Sequence, residues 1–196
     1  MTAPLYYDPL DDSSRLIAVL EQHRTRLPFA DEALAQHQML HGELLHQRSS
    51  SEQALEEWRH ALAQRWQCEV AGRRVYLRIQ QALVEHFGEE SPALLLFIRS
   101  DEGNGSAAEL LADLQRLHAA LCVTEPPAIA TRDYLPELTH ICEDLEAAIA
   151  WTSRCDQQRR KAVLDRHLGQ HAYQRIRSKT RRLLREHLGE WTALER

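Results

Sequence analysis

The chain contains 196 residues, of which 27% are charged and 43% hydrophobic, and its formal net charge is −5. This composition is typical of a soluble globular protein, and the length allows either one core or two closely packed halves. No apolar run reaches the roughly 18 residues of a membrane span, and residues 1–12 lack the basic and apolar regions of a signal peptide. We therefore expect a cytoplasmic protein that does not contact membranes.

Helix-favouring residues fill the long stretches between the seven glycines and seven prolines. Those stretches are rich in Ala, Leu, Glu, Gln and Arg, which have high helix propensity. Runs of alternating β-branched residues, the usual signature of strands, do not occur. The sequence therefore predicts an all-α fold.

Aspartate and serine side chains mark where the first two helices are predicted to begin. Asp11, Asp12 and Ser13 predict the N-terminal cap of a first helix that ends near Leu27. Asp31 predicts the cap of the second helix. A cap of this kind accepts a hydrogen bond from a backbone N–H group that the first helical turn leaves without a partner.

The second helix is predicted to be long, with an ambiguous interval near its centre. Ser49 and Glu52 have the spacing of a capping box, so a break at Arg48–Ser51 stays open. The corresponding part of the second half, from Leu135 to Leu168, contains no glycine and a single proline near its start, which favours a long helix in both halves. The apolar stripe of the second helix is predicted to include Leu34, Leu40, Leu44, Leu55, Trp58, Leu62 and Trp66.

Four glycines are predicted to end helices. Gly72 and Gly169 stand where a glycine commonly stops a helix, and each is followed by helix-compatible sequence. A third helix is therefore predicted after each of them, ending at Gly88 in the first half and at Gly189 in the second.

The junction between the halves carries the clearest turn signals. Ser91–Pro92 predicts a short extra turn, because proline is favoured directly after a capping serine. Residues 100–105 form the predicted loop, and Ser106 with Glu109 predicts a capping box that starts a new helix. Pro126–Pro127 predicts a further break.

A faint internal repeat organises these elements. Gly72–Ile79 returns as Gly169–Ile176, 97 residues later, with a tyrosine, an arginine and an isoleucine in register. We therefore predict a helical bundle of six or seven helices, built from two tandem three-helix repeats that share one core. The repeats are residues 1–99 and 106–196, joined by the loop at 100–105.

Positive charge is concentrated in residues 154–185, which contain 11 basic and 2 acidic residues. Like charges four residues apart on a helix repel each other, so a face this basic indicates an anionic partner. The residues predicted to contact that partner are Arg159, Arg160, Lys161, Arg175, Arg177, Lys179, Arg181, Arg182 and Arg185.

Three partners fit this charge. The basic residues could pair with acidic groups of the chain itself or of a second copy, because residues 1–105 and residues 106–153 each carry a net charge of −6. An acidic protein surface or a nucleic-acid phosphate backbone would also fit. The negative net charge weighs against nucleic acid. We therefore expect a non-enzymatic adaptor protein, as a monomer or a homodimer, with a nucleic-acid-associated protein as the alternative.

A metal-binding bundle is the third hypothesis. His37 and His41 lie four residues apart on the second helix, so both imidazoles could reach one metal ion. No glutamate lies three residues before either histidine, as the carboxylate-bridged bundles require. No catalytic or cofactor motif occurs, so we expect no cofactor and do not favour an enzyme. The four cysteines lack zinc-ligand spacing and are expected to be free thiols.

Overall fold

A computed structural model describes residues 8–97, 105–123 and 131–189. These residues form four α-helices and one short 3₁₀-helix at Pro92–Leu96, and they contain no strand. The all-α prediction is confirmed. The helices are α1 (Pro9–Gln22), α2 (Ala30–Phe87), α3 (Ala107–Val123) and α4 (Thr131–Leu188).

The prediction of six or seven helices is wrong for the described residues, because α2 and α4 do not end where predicted. Each runs for 58 residues and passes without interruption through the glycine expected to stop it. Gly72 is buried inside α2, where an added Cβ would lie 3.2 Å from Leu114 and 3.4 Å from Leu110. Gly72 therefore allows close helix packing, and the predicted third helix of each half is the end of a long helix.

Two glycines do end helices as predicted. Gly88 and Gly189 have φ angles of +84° and +78°, and each follows the last residue of its helix directly. The backbone N–H of Gly88 donates to the carbonyl oxygen of Val84, and that of Gly189 donates to the carbonyl oxygen of Arg185. Glycine adopts this left-handed conformation without the steric cost that other residues incur.

The first helix starts earlier than predicted and ends before Leu27. Asp8 is its N-cap and accepts a hydrogen bond of 2.9 Å from the backbone N–H of Leu10. Pro9 occupies the first helical position, where its fixed φ is suitable and its missing N–H is not needed. Asp11 and Asp12 consequently lie within the first turn.

The second helix also begins before its predicted cap, and no break occurs at its centre. It starts at Ala30, so Asp31 lies in the first turn. Residues 48–51 are helical, and Arg48 pairs with Glu52 one turn later at 3.1 Å. Trp66, predicted in the apolar stripe, is 65% exposed, whereas the three leucines at the start of that stripe are buried.

The capping serines at the junction are confirmed. Ser91 caps the 3₁₀-helix, and Ser106 exchanges hydrogen bonds with Glu109 at the start of α3. Residues 100–104 of the predicted loop, and the proposed break at Pro126–Pro127, lie outside the described residues. The four cysteines are free thiols, as expected.

The helices divide into two compact units. Unit 1 consists of the described residues of Met1–Leu55 and Gln158–Arg196, and unit 2 is the described part of Glu56–Gln157. Unit 1 thus contains α1, the first part of α2 and the last part of α4. Unit 2 contains the rest of α2 and α4, together with α3 and the 3₁₀-helix. Each unit therefore draws on both of the predicted sequence halves.

Each unit has its own apolar cluster, so the prediction of one shared core is wrong. Leu16, Leu20 and Leu184 belong to the cluster of unit 1. Leu83, Leu114 and Leu145 belong to that of unit 2. The reason is that α2 and α4 each extend through both units. One end of each helix contributes apolar residues to the cluster of unit 1, and the other end contributes to the cluster of unit 2.

The buried positions of the two units follow one common spacing. Eight of the nine buried positions described on α4 lie 101 residues after a buried position on α2. The same interval relates the buried faces of α1 and α3, as for Leu16 and Leu117 or Leu20 and Leu121. The pairs on the long helices are His37–Leu138, Leu44–Leu145, Ser51–Thr152, Ala54–Cys155, Ala61–Ala162, Gly72–Tyr173, Ile79–Thr180 and Leu83–Leu184.

We expect opposite effects from substitutions at two glycines inside α2. Gly42→Ala should raise the free energy of unfolding by about 0.5–1 kcal/mol, because an added Cβ meets nothing within 4 Å and alanine favours the helix. Gly72→Leu should lower it by about 1–3 kcal/mol, because the larger side chain overpacks against Leu114 and Leu110. Urea denaturation followed by circular dichroism measures both. Equal effects at the two positions would contradict the packing role of Gly72.

Candidate functional site

The nine basic residues predicted as a binding surface all lie on the part of α4 that belongs to unit 1. Their exposure divides them into two groups. Arg159, Arg177 and Arg181 are half-buried. The exposed ones are Arg160, Lys161, Arg175, Lys179, Arg182 and Arg185.

The two half-buried arginines near the end of α4 bind one carboxylate on α1. Arg177 donates to Asp12 from Nε at 2.6 Å and from Nη2 at 3.2 Å. Arg181 donates from Nη2 at 2.8 Å, and the hydroxyl of Tyr173 donates at 2.6 Å. The Asp12 side chain is only 11% exposed, so these charge-assisted hydrogen bonds are largely shielded from water.

Helical spacing explains why three side chains reach one acid. Tyr173, Arg177 and Arg181 are four residues apart, so they lie above one another on a single face of α4. Asp12 precedes Ser13 on α1, and Ser13 is fully buried with the core leucines of that helix. Packing of α1 into the core of unit 1 therefore places the Asp12 carboxylate against the arginine face of α4.

The charge of Asp12 is stabilised in the folded protein. Burial by itself would raise the pKa of Asp12. The hydrogen bonds from Arg177 and Tyr173, together with the positive charges of Arg177 and Arg181, outweigh burial and hold the pKa below its ordinary value of 3.8. The carboxylate is therefore ionised at neutral pH and neutralises part of the positive charge of residues 154–185.

The sequence did not reveal Asp12 as the acid that binds Arg177 and Arg181. Its position near a helix start indicated a cap, and nothing in α1 alone indicates that its partners lie more than 160 residues away. Arg177 and Arg181 pair with an acidic group of the chain itself. That group lies on α1, within residues 1–105.

The outer side of α4 carries leucines among its cations. At 100° per residue, six exposed side chains fall within an arc of about 60° on the helix surface. We call this set the outer basic stripe. Leu164 and Leu168, near its start, are 57% and 58% exposed. The stripe consists of Lys161, Leu164, Leu168, Arg175, Lys179 and Arg182.

Acidic neighbours neutralise little of this stripe. Arg182 lies 3.8 Å from Glu186, one turn further along the helix. Among the described residues, none forms an ion pair with Lys161, Arg175 or Lys179. Arg175, Lys179 and Arg182 are separated by three or four residues, so their charges repel each other across the helix surface.

The two histidines considered as metal ligands occupy different environments. His37 is fully buried, and its Nε2 lies 3.0 Å from the hydroxyl oxygen of Thr180. The Nδ1 atom of His41 is buried, although the residue is partly exposed. No three histidine, cysteine, aspartate or glutamate side chains of the described residues are grouped so that they could hold a metal ion. His37 is therefore a polar residue of the unit 1 core.

Comparison with known protein families, with curated proteins and with solved structures finds no match to this chain. Among the described helices, none is both long and apolar enough to cross a membrane.

Removal of the Asp12 charge should destabilise unit 1. Asp12→Asn leaves two half-buried guanidinium groups close together without their anion, so we expect the free energy of unfolding to fall by about 2–4 kcal/mol. Urea denaturation at neutral pH measures this change. Asp11→Asn is the matched control, because Asp11 is exposed in the same turn, and its effect should stay within about 0.5 kcal/mol.

The difference between the wild-type protein and Asp12→Asn should depend on pH. The folded-state pKa of Asp12 is lowered, so its contribution is complete above the ordinary value of 3.8 and is lost as pH falls through the folded pKa. The difference in stability between the two proteins should therefore begin to shrink as pH falls below about 4, and it should vanish only below the folded pKa of Asp12. A difference that did not shrink between pH 5 and pH 2 would contradict an electrostatic role for Asp12.

Proposed function

We propose that this chain is a cytoplasmic, non-enzymatic adaptor protein that binds an acidic amphipathic helix of another protein through the outer basic stripe. The placement of exposed Leu164 and Leu168 on the same face as Lys161 and Arg175 is the observation that supports this proposal. An amphipathic helix offers apolar side chains to the leucines and carboxylates to the cations.

The leucines favour a protein partner over nucleic acid. A phosphate backbone is bound through positive charge and through hydrogen-bond donors, and two exposed leucines contribute to neither. In a protein interface, apolar side chains at the centre are removed from water and charged residues form the rim. The outer basic stripe matches that pattern, because cations precede and follow Leu164 and Leu168 along α4.

The charge balance of α4 supports an anionic partner. Asp12 already neutralises Arg177 and Arg181, whereas Arg175 and Lys179 on the outer side have no anion among the described residues. Their mutual repulsion is a small cost in the free protein, a few tenths of a kcal/mol per pair. An acidic helix would remove this cost, and complementary charge would accelerate its association.

We also propose that the chain is an internal duplication in which each copy is a short helix followed by a long one. Two observations support this proposal. Both long helices have 58 residues. The buried positions of both helix types recur after 101 residues. The repeats would retain the boundaries 1–99 and 106–196, joined by the loop at 100–105.

Two fluorescent probes test the adaptor proposal. One is a synthetic helical peptide with glutamates on its surface and a leucine stripe, and the other is a random-sequence DNA duplex. Anisotropy titrations at about 50 and 200 mM salt should show that the peptide binds more tightly than the duplex. Charge reversal of Arg175, Lys179 and Arg182 to Glu should weaken peptide binding at least about tenfold.

Two variants act as controls for that experiment. Leu164→Gln with Leu168→Gln leaves every charge in place and should still weaken peptide binding, because the apolar contact is lost. Reversal of the exposed Arg26, Arg59 and Arg74 to Glu changes the net charge equally and should leave binding nearly unchanged. The proposal would be replaced by a nucleic-acid function if the duplex bound more tightly than the peptide, lost this binding on reversal of Arg175, Lys179 and Arg182, and kept it in the leucine variant.

A further inference from the structure

Unit 1 buries polar side chains where unit 2 buries apolar side chains or glycine. At four pairs of positions separated by 101 residues, both residues are buried but their chemistry differs. The unit 1 residue is a serine, a histidine, a tyrosine or a threonine. The pairs, with the unit 1 residue first, are Ser13–Leu114, His37–Leu138, Tyr173–Gly72 and Thr180–Ile79.

His37 is the titratable residue at the centre of these polar side chains. Its side chain has no exposed surface, and its Nε2 lies 3.0 Å from the hydroxyl oxygen of Thr180. The Tyr173 ring meets the imidazole edge-on, with ring centroids 6.0 Å apart. The second ring nitrogen, Nδ1, is buried and has no hydrogen-bond partner among the described residues.

The charged groups around His37 do not provide an acceptor for a second proton. On α1 the carboxylate of Asp12 interacts electrostatically with His37, but it already accepts hydrogen bonds from Arg177, Arg181 and Tyr173 on α4. On α2 itself, His41 lies one turn away. Asp12 attracts a protonated His37, but burial has the larger effect and lowers the pKa of His37 below its ordinary value of 6.5.

Protonation therefore opposes the packing of this core. A neutral imidazole needs one donor and one acceptor interaction at most, whereas an imidazolium carries two N–H donors and a positive charge. In the folded unit both N–H groups would be buried, and the one on Nδ1 has no acceptor among the described residues. In an opened unit, water solvates the imidazolium fully. Acid consequently favours opening.

We propose that unit 1 contains a built-in acid switch, in which protonation of His37 loosens the packing of α1 against α4 while unit 2 stays closed. The equivalent position in unit 2 is Leu138, which cannot take up a proton. Opening would also separate Arg177 and Arg181 from Asp12 and add them to the basic surface. Only this last consequence rests on the proposed function.

The sign of the effect follows from the lowered pKa. Neutral His37 supports the closed state fully above pH 6.5, and this support is lost as pH falls from 6.5 toward the folded pKa. One proton taken up on opening changes the opening constant about tenfold per pH unit within that window. Between pH 7.5 and 5.5, opening of unit 1 should therefore increase up to about tenfold.

Hydrogen exchange of the full chain, detected by mass spectrometry and corrected for the intrinsic pH dependence of exchange, tests this switch. Protection of α1 and of residues 158–188 should fall up to about tenfold between pH 7.5 and 5.5, while that of α3 stays constant. His37→Leu with Thr180→Ile reproduces the Leu138 and Ile79 pair of unit 2 and should abolish the change. Because this double variant could fail to fold, His37→Gln provides a second, uncharged replacement.

His167→Gln is the matched control, since His167 is exposed on the same part of α4. This variant should retain the full pH dependence. Equal loss of protection in both units would overturn the proposal, as would a wild-type pH response in the His37 variants. Neither outcome affects the adaptor proposal, because the exchange experiment involves no binding partner.

Discussion

The continuity of α2 and α4 is the constraint on which the rest of the structure depends. Each helix contributes one part to unit 1 and the other part to unit 2, so unit 1 is assembled from two separate stretches of chain, whereas unit 2 is one continuous stretch. A short helix supplies too little apolar surface to stand alone, and helical stability comes mainly from packing of an amphipathic face. Unit 1 therefore forms only when α1 and parts of both long helices pack together. Glycines that would end an isolated helix are retained inside α2 and α4, because packing outweighs their low helix propensity.

The Asp12 carboxylate decides how the basic end of α4 is used. Without this acid, Arg177 and Arg181 would be two more cations on a helix that already carries many. With it, they hold α1 in place and are neutralised, while the outer basic stripe stays exposed. A half-buried ion cluster stabilises a fold only when each charge keeps its partners, and here four hydrogen bonds converge on one acid. Helix α4 thereby combines an inward face that holds unit 1 together with an outward face whose cations stay exposed to solvent.

The two cores share a common spacing of their buried positions, but the side chains at those positions differ in polarity. In unit 2, Leu138 belongs to the apolar cluster. At the equivalent position of unit 1, His37 contacts Thr180 and Tyr173. Leucine would be the stable choice at a fully buried helical position, since burial of a polar group without all of its partners costs free energy. The polar set in unit 1 therefore gives up some stability, and in return it makes the packing of that unit sensitive to protonation.

The sequence by itself determined the helical class, the caps at Ser91 and Ser106, the glycine helix ends at Gly88 and Gly189, and the basic character of α4, because each of these depends on neighbouring residues. It did not determine that Gly72 lies inside a helix, because the reason for that glycine is close contact with Leu114 and Leu110 on another helix. Nor did it determine which arginines are exposed, since Arg177 and Arg175 have similar neighbours along the chain and differ only in facing Asp12 or solvent. Tertiary structure alone decided the partners of Asp12 and His37. It also decided that each unit combines helices from both sequence halves. The physical reason is that long-range packing selects among several faces and helix ends that are nearly equivalent in local energy.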